Sequence, residues 1–258
     1  MRRLLLALAL LPVLACGSKR VSITGEMRYG ATAEENYQAG IEEATAEHWE
    51  EAVKLFEYVK TKYPFSKQAA LADLQLADLK FRQDLFAEAS AAYQTFGQLH
   101  PNHEQADYAR FRAGLSQFKD APGDFALFPP PYEKDQRTIR EAVKMLEGFV
   151  AAFPKSKYVP EAQKVLTEAR GRLAAHEWYV AQFYVSREKW AGAAGRLEGL
   201  LKQYPGSPHE VEALFQLARA YVKMNEQFRA QQTLQRLIAN HPDDPRRPEA
   251  ERLLAGLR

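Results

Sequence analysis

The residues best suited to chemistry in this chain are few, and their spacing does not serve it. Of six histidines, three are followed directly by glutamate: His103-Glu104, His176-Glu177 and His209-Glu210. A zinc-peptidase helix needs a second histidine at the fourth following position, so that both rings face one metal. Those positions hold Asp107, Val180 and Ala213. His100 and His241 each precede a proline and share that place with Tyr63, Phe153 and Tyr204, so they read as flat side chains before a turn. No metal is expected. The only cysteine is Cys16, which excludes an internal disulfide and a cysteine-based zinc site. The sequence carries no nucleophile elbow, phosphate-binding loop or dinucleotide fingerprint. Its acids fall on expected solvent faces. The expectation is a protein that is not an enzyme and uses no cofactor.

Cys16 has a different chemistry open to it. Met1-Arg2-Arg3 is a basic start, Leu4 to Leu11 is a short apolar core, and Ala15 is a small residue before the cysteine. That order describes a secretory signal over residues 1–15. A cysteine directly after the small residue resembles the lipobox of bacterial lipoproteins. There the thiol takes a diacylglycerol, the chain is cut before it, and the new amine is acylated. The alternative is an ordinary signal peptide in which Cys16 is incidental. More than one acyl chain makes such an anchor stable. Gly17, where an aspartate would retain the protein in the inner membrane, points to the outer membrane by the rule known from enteric bacteria. Residues 16–32 are polar and small without helical periodicity, a tether. Its sixteen residues past the cysteine span at most ~55 Å.

The composition places few constraints beyond this. The 258 residues are 46% hydrophobic and 26% charged, an ordinary globular balance. Lysine plus arginine is 35 against 33 acids, and two of the positive charges are Arg2 and Arg3. Without them the balance is even, so no nucleic-acid partner is expected. No apolar run reaches the ~18 residues of a spanning helix.

The elements that must position any site are written as a repeat. Tyr63-Pro64, His100-Pro101, Phe153-Pro154, Tyr204-Pro205 and His241-Pro242 are ring–proline pairs whose prolines lie 37, 53, 51 and 37 residues apart. Twelve residues before each proline stands Ala52, Ala89, Ala142, Ala193 or Ala230. Eight before come Phe56, Tyr93, Leu146, Leu197 and Leu234, and five before come Val59, Phe96, Phe149, Leu200 and Leu237. Steps of four and three mark one face of a helix. Farther upstream Gly40, Ala77, Gly114, Ala181 and Ala218 supply a small residue on a preceding helix, so that two backbones can approach. The proline ends the second helix. Ser66, Ser156, Ser207 and Asp244 follow two residues on, placed to cap the next one.

These columns predict an all-α tetratricopeptide solenoid of five helix-pair repeats, at about 33–64, 67–101, 104–154, 157–205 and 208–242. Pro248 to Leu257 reads as a capping helix with Leu253, Leu254 and Leu257 on one side. Of the two insertions, residues 120–132 in repeat three hold four prolines and form a loop, with Phe125, Leu127 and Phe128 able to pack down. The other has no breaker from Glu161 onward and lengthens the first helix of repeat four, with Pro160 tolerable in its first turn.

A solenoid of this kind binds on its inner face, lined by the first helix of each repeat. The columns there hold Tyr37 and Ile41, then Leu74, Asp78 and Phe81, then Tyr108, Phe111, Leu115 and Phe118. Chaperone-binding tetratricopeptide proteins put lysine and asparagine in two of these columns to clamp a terminal carboxylate. That clamp is absent here, and an aromatic, apolar groove is expected in its place. For each ring the alternative is burial between repeats.

Specific stretches carry a family resemblance: Tyr63-Pro-Phe-Ser66, Asp107-Tyr108 with Arg112 and Gly114, Arg140-Glu-Ala142, and above all Arg172-Leu-Ala-Ala-His-Glu-Trp-Tyr-Val-Ala-Gln-Phe-Tyr184 followed by Arg196-Leu-Glu-Gly199. With the lipobox, the tether and the repeats, the chain resembles the BamD family, the repeat lipoproteins of the outer-membrane β-barrel assembly machine. The resemblance implies a lipid-anchored adaptor on the periplasmic face of the outer membrane, its only non-protein group being the lipid on Cys16. It implies that repeats 1–3 (33–154) receive unfolded outer-membrane proteins through their C-terminal β-signal. Repeats 4–5 and the capping helix (155–258) would dock on the membrane-proximal POTRA domain of BamA, with the other lipoproteins of that machine as further partners. Substrate-groove candidates are Tyr37, Leu74, Phe81, Tyr108, Phe111 and Phe118. Arg196 is the docking candidate: nine residues before the turn proline the other repeats keep Leu55, Ala92, Met145 and Thr233 uncharged. Its alternative is an internal pair with Glu198 or an acid of a neighbouring repeat. The competing function is a general repeat scaffold or adaptor in cell-envelope or peptidoglycan maintenance.

Overall fold

The ring–proline pairs end five helices in one conformation. In the computed structural model, which describes residues 28–123 and 130–257, Tyr63, His100, Phe153, Tyr204 and His241 are C-caps with φ from −126° to −130° and ψ from 53° to 62°. The following proline pushes this residue out of the helical region. Its N–H still reaches the carbonyl four residues back, at Val59, Phe96, Phe149, Leu200 and Leu237.

The helices are α1 Ala33–Thr45, α2 Trp49–Lys62, α3 Lys67–Arg82, α4 Phe86–Leu99, α5 Ala106–Lys119, α6 Arg137–Ala152, α7 Val159–Ser186, α8 Trp190–Gln203, α9 Glu210–Lys223, α10 Gln227–Asn240 and α11 Arg247–Ala255. They form five antiparallel pairs and a cap, an all-α tetratricopeptide solenoid with no strand among the described residues. Each helix packs on the next, and α1 also meets α3 and α5 meets α7. The first helices of neighbouring pairs thus line the inner side of the bend.

Small residues set the closeness of each pair. Ala52, Ala89, Ala142, Ala193 and Ala230 are fully buried, as are Phe56, Tyr93, Leu146, Leu197 and Leu234 one turn later. A Cβ at Gly114 would lie 2.7 Å from Cδ2 of Leu146, so the first helix presses its bare backbone on the large residue of the second. The turn within four of the pairs needs a left-handed residue, supplied by Glu47, Asp84, Glu188 and Asn225 with φ of 55–62°. Each stands seventeen residues before its proline. Repeat three lacks that turn because its insertion replaces it.

The insertions behave differently. After residue 123 the chain re-enters at Pro130, makes a short 3-10 turn at Pro131–Glu133, and is held by His176 Nδ1 against the Tyr132 carbonyl at 2.6 Å. Phe125, Leu127 and Phe128 lie outside the described residues. The lengthened helix is α7, 28 residues with its proline in the first turn. One buried cluster runs from Phe111 and Leu146 to Leu166 and Leu173, so packing is continuous through residue 154. At the far end Leu253, Leu254 and Leu257 close the last cluster.

The capping residues need a correction. Of Ser66, Ser156, Ser207 and Asp244, only Ser66 caps a helix directly, accepting from the Ala69 N–H at 3.1 Å. Ser156 and Asp244 accept from N–H groups two residues on, at Tyr158 and Arg246, and so turn the chain before the helix begins. The Ser207 hydroxyl is buried without a hydrogen bond. A side chain two residues after the proline serves the turn first, and serves the helix only where the turn is short.

Candidate functional site

Two adjacent first helices, α3 and α5, point chemistry at each other across the inner face. Asp78 and Phe81 lie three apart on α3, and Tyr108 and Arg112 lie four apart on α5, so each pair shares one helix face. Tyr93 enters from α4. The Asp78 carboxylate accepts from the hydroxyls of both Tyr93 and Tyr108, the latter at 2.6 Å. Burial, and then the Asp78 charge, push both phenols well above the usual tyrosine range, so both stay donors. The two rings meet edge to face at 6.2 Å. The Arg112 Nε donates to the Tyr93 hydroxyl at 3.2 Å, and its guanidinium covers the Phe81 ring at 3.6 Å.

The expected groove is therefore narrower and more polar than the columns imply. Tyr37, Phe81 and Tyr108 are partly exposed. Burial, followed by Asp78, raises the Tyr37 phenol as well. Leu74 and Phe111, 1% and 2% exposed, belong to the core and not to the groove. Leu74 packs among Ala89, Tyr93 and Phe96, while Phe111 is covered by the Tyr158 ring, stacked at 5.4 Å. Phe118 is 8% exposed and lies beneath the Arg172 guanidinium at 4.7 Å. Leu115 is buried too. Nor is the face purely apolar: Arg112 was not marked as a groove residue by the columns, although its place four residues after Tyr108 puts it on the same side of α5.

Arg196 on α8 meets Glu177 on α7, Nη1 to Oε2 at 3.1 Å, its side chain 44% exposed and that of Glu177 only 15%. The internal partner is thus Glu177. Glu198 instead takes Arg229 at 2.5 Å and the Tyr221 hydroxyl. A shallow cavity of about 350 Å³ opens beside the pair, lined by Tyr184, Gly192, Gly195 and Gly199. The larger cavity, about 910 Å³, lies between α4, α5 and α6 and is lined by Gln94, Gln98, Arg110, Gln117, Glu141 and Lys144. Among the described residues no group of three histidines, cysteines or acids could hold a metal. No described helix is long and apolar enough to cross a membrane. Cys16 lies outside the described residues.

A family profile described as an outer membrane lipoprotein, YfiO, matches residues 30–237. The chain belongs to that family. The YfiO match begins just before α1 and ends within α10, so it takes in all five helix pairs. The outer membrane protein assembly factor BamD of Neisseria gonorrhoeae is 29% identical over 212 residues, 79% of this chain and 77% of that protein. BamD of Xylella fastidiosa is 26% identical over 203 residues, 77% and 68% of the two chains. BamD of Vibrio cholerae is 26% identical over 178 residues, 68% and 74%. Among solved structures, the TPR2AB domain of yeast Sti1 in complex with an HSP90 peptide is 12% identical, covers 87% of this chain and 86% of its own, and has a TM-score of 0.42.

Proposed function

We propose that this protein is an assembly factor for outer-membrane β-barrel proteins, a lipid-anchored adaptor on the periplasmic face of the outer membrane that works by binding and not by catalysis. The YfiO-family match across all five repeats carries this reading, together with relatives named as assembly factors. The inner face of repeats 1–3 receives the unfolded barrel protein. Tyr37, Phe81 and Tyr108 present ring surface spaced along three successive first helices, which suits an extended strand with apolar side chains on one side. Repeats 4 and 5 dock on a POTRA domain of the BamA subunit, with the exposed Arg196 beside its small glycine-lined cavity as a contact. The lipid sits on Cys16, and residues 17–32 form the tether.

Two arms test this. Affinity purification of the full-length protein from its own envelope should bring down BamA; recovery of peptidoglycan-remodelling proteins without BamA would favour the general scaffold instead. In cells, Cys16→Ser should leave the protein folded and release it from outer-membrane fractions. A Cys16→Ser protein that still floats with outer membrane in high salt would show that the lipid is not the main tether.

A further inference from the structure

The four residues before α1, Tyr29 to Thr32, are folded down onto the first helix pair. Tyr29 stacks on Tyr58 of α2, with ring centroids 4.0 Å apart and planes within 17°. Tyr58 in turn meets the Tyr63 ring edge to face at 6.2 Å. The Tyr63 hydroxyl donates to the Ala31 carbonyl at 2.9 Å. From α1, Asn36 takes Gly30 at both ends: its Oδ1 accepts from the Gly30 N–H at 2.8 Å, and its Nδ2 donates to the Gly30 carbonyl at 3.0 Å. Asn36 is 0% exposed. A buried carboxamide left without partners is costly, so the arm completes the core of repeat one. Gly30 lies so close that a Cβ there would stand 2.7 Å from the Cβ of Glu35. The Glu35 carboxylate accepts from the Ala31 N–H at 2.7 Å. Both helices of the pair thus hold the same four residues. The seat is particular to this repeat: six residues before the turn proline the others have Thr95, Gly148, Gly199 and Arg236, and only repeat one has a ring, Tyr58.

We propose that Tyr29 to Thr32 form a clasp that moves the end of the tether from Thr32 back to Arg28 and sets how far the solenoid stands from the membrane. This rests on the reading of Cys16 as the lipid anchor. Twelve residues, 17–28, span at most ~40 Å, so the clasp withholds ~14 Å of reach from the tether. It also decides where the lipid pulls. Without it the load would fall on the first turn of α1, and helix ends fray first. With it the load passes through Tyr29 and Ala31 into Tyr58 and Tyr63, at the far end of α2, and through Gly30 into Asn36. The first turn of α1, which precedes the groove residue Tyr37, is thereby spared.

The test uses the full-length lipidated protein and two readouts. Trypsin cuts after Arg28, against the seat, and after Arg20, ahead of it. In detergent, Tyr58→Ala should speed cutting after Arg28 about tenfold, the scale of one lost ring stack, because cutting follows the open population. Cutting after Arg20 should stay the same. Tyr63→Phe, which removes a single oxygen, should speed cutting after Arg28 by a smaller factor, and it decides the matter if Tyr58→Ala fails to fold. In vesicles, a dye on Glu51→Cys, whose thiol is the one left once Cys16 carries its lipid, reports distance to a labelled membrane surface by energy transfer. Tyr58→Ala, or Tyr63→Phe in its place, should lower that transfer. Equal cutting after Arg28 in wild type and variants would overturn the clasp. Faster cutting with unchanged transfer would overturn its control of the stand-off. A protein that washes off the vesicles would bring down the lipid reading and the stand-off with it, while cutting after Arg28 still judges the clasp itself.

Discussion

The ring of Phe56 occupies the place where a side chain at position 40 would go. A Cβ built on Gly40 would stand 2.6 Å from Phe56 Cε1. Phe56 is fully buried, so the ring has nowhere to swing, and the bare backbone at Gly40 is a condition for closing the first helix pair.

Gly40→Ala should therefore destabilise. Overpacking costs ~1–3 kcal/mol, against a gain of ~0.8–1 kcal/mol for replacing glycine within a helix. The same change at Gly171 on α7 meets nothing within 4 Å and should stabilise by roughly 0.5–1 kcal/mol. Urea unfolding of the two variants checks the pair. A Gly40→Ala protein as stable as wild type would mean that α1 and α2 are not in this register.

Arg196 is half exposed while its partner Glu177 is mostly covered, and water screening at the arginine holds the pair's contribution to about 1 kcal/mol. Arg196→Ala should then shift the melting temperature little and lower affinity for the POTRA domain by at least tenfold, if the guanidinium also meets an acid there. Isothermal titration with purified POTRA domains measures the second quantity. A clear fall in melting temperature with unchanged affinity would assign Arg196 wholly to its internal partner.

His209 at the start of α9 stacks on Trp178, with centroids 5.5 Å apart and planes within 8°. Burial lowers its pKa below the ordinary histidine value. Between that lowered value and the unfolded value of about 6.5 the unfolded chain binds more protons, so stability rises with pH across this window and is lost as pH falls through it. A melting series from pH 8 to pH 5 should show a smaller decline for His209→Gln than for wild type. Parallel curves would remove His209 from the acid sensitivity of the last repeats.

The helix pairs, their ends and their small-to-large packing were legible in the residues because each depends on neighbours three, four or seven places away. Ala52 beneath Phe56, Tyr63 before Pro64, and the fourteen extra residues that lengthen α7 all follow from helical period and from proline's missing N–H. The left-handed residues Glu47, Asp84, Glu188 and Asn225 also recur at a constant distance from the proline, yet they share no residue type that marks them. What the sequence could not settle was depth. A helical period names a face, but only the next pair of helices decides how much of it stays open. Tyr158, far along the chain, covers Phe111, and Arg172 covers Phe118, so two of the expected groove rings became core. Asp78 binds two tyrosines from two other helices, and Arg196 finds Glu177 rather than Glu198. These partners are chosen by how repeats stack, a long-range outcome of packing that no local pattern encodes.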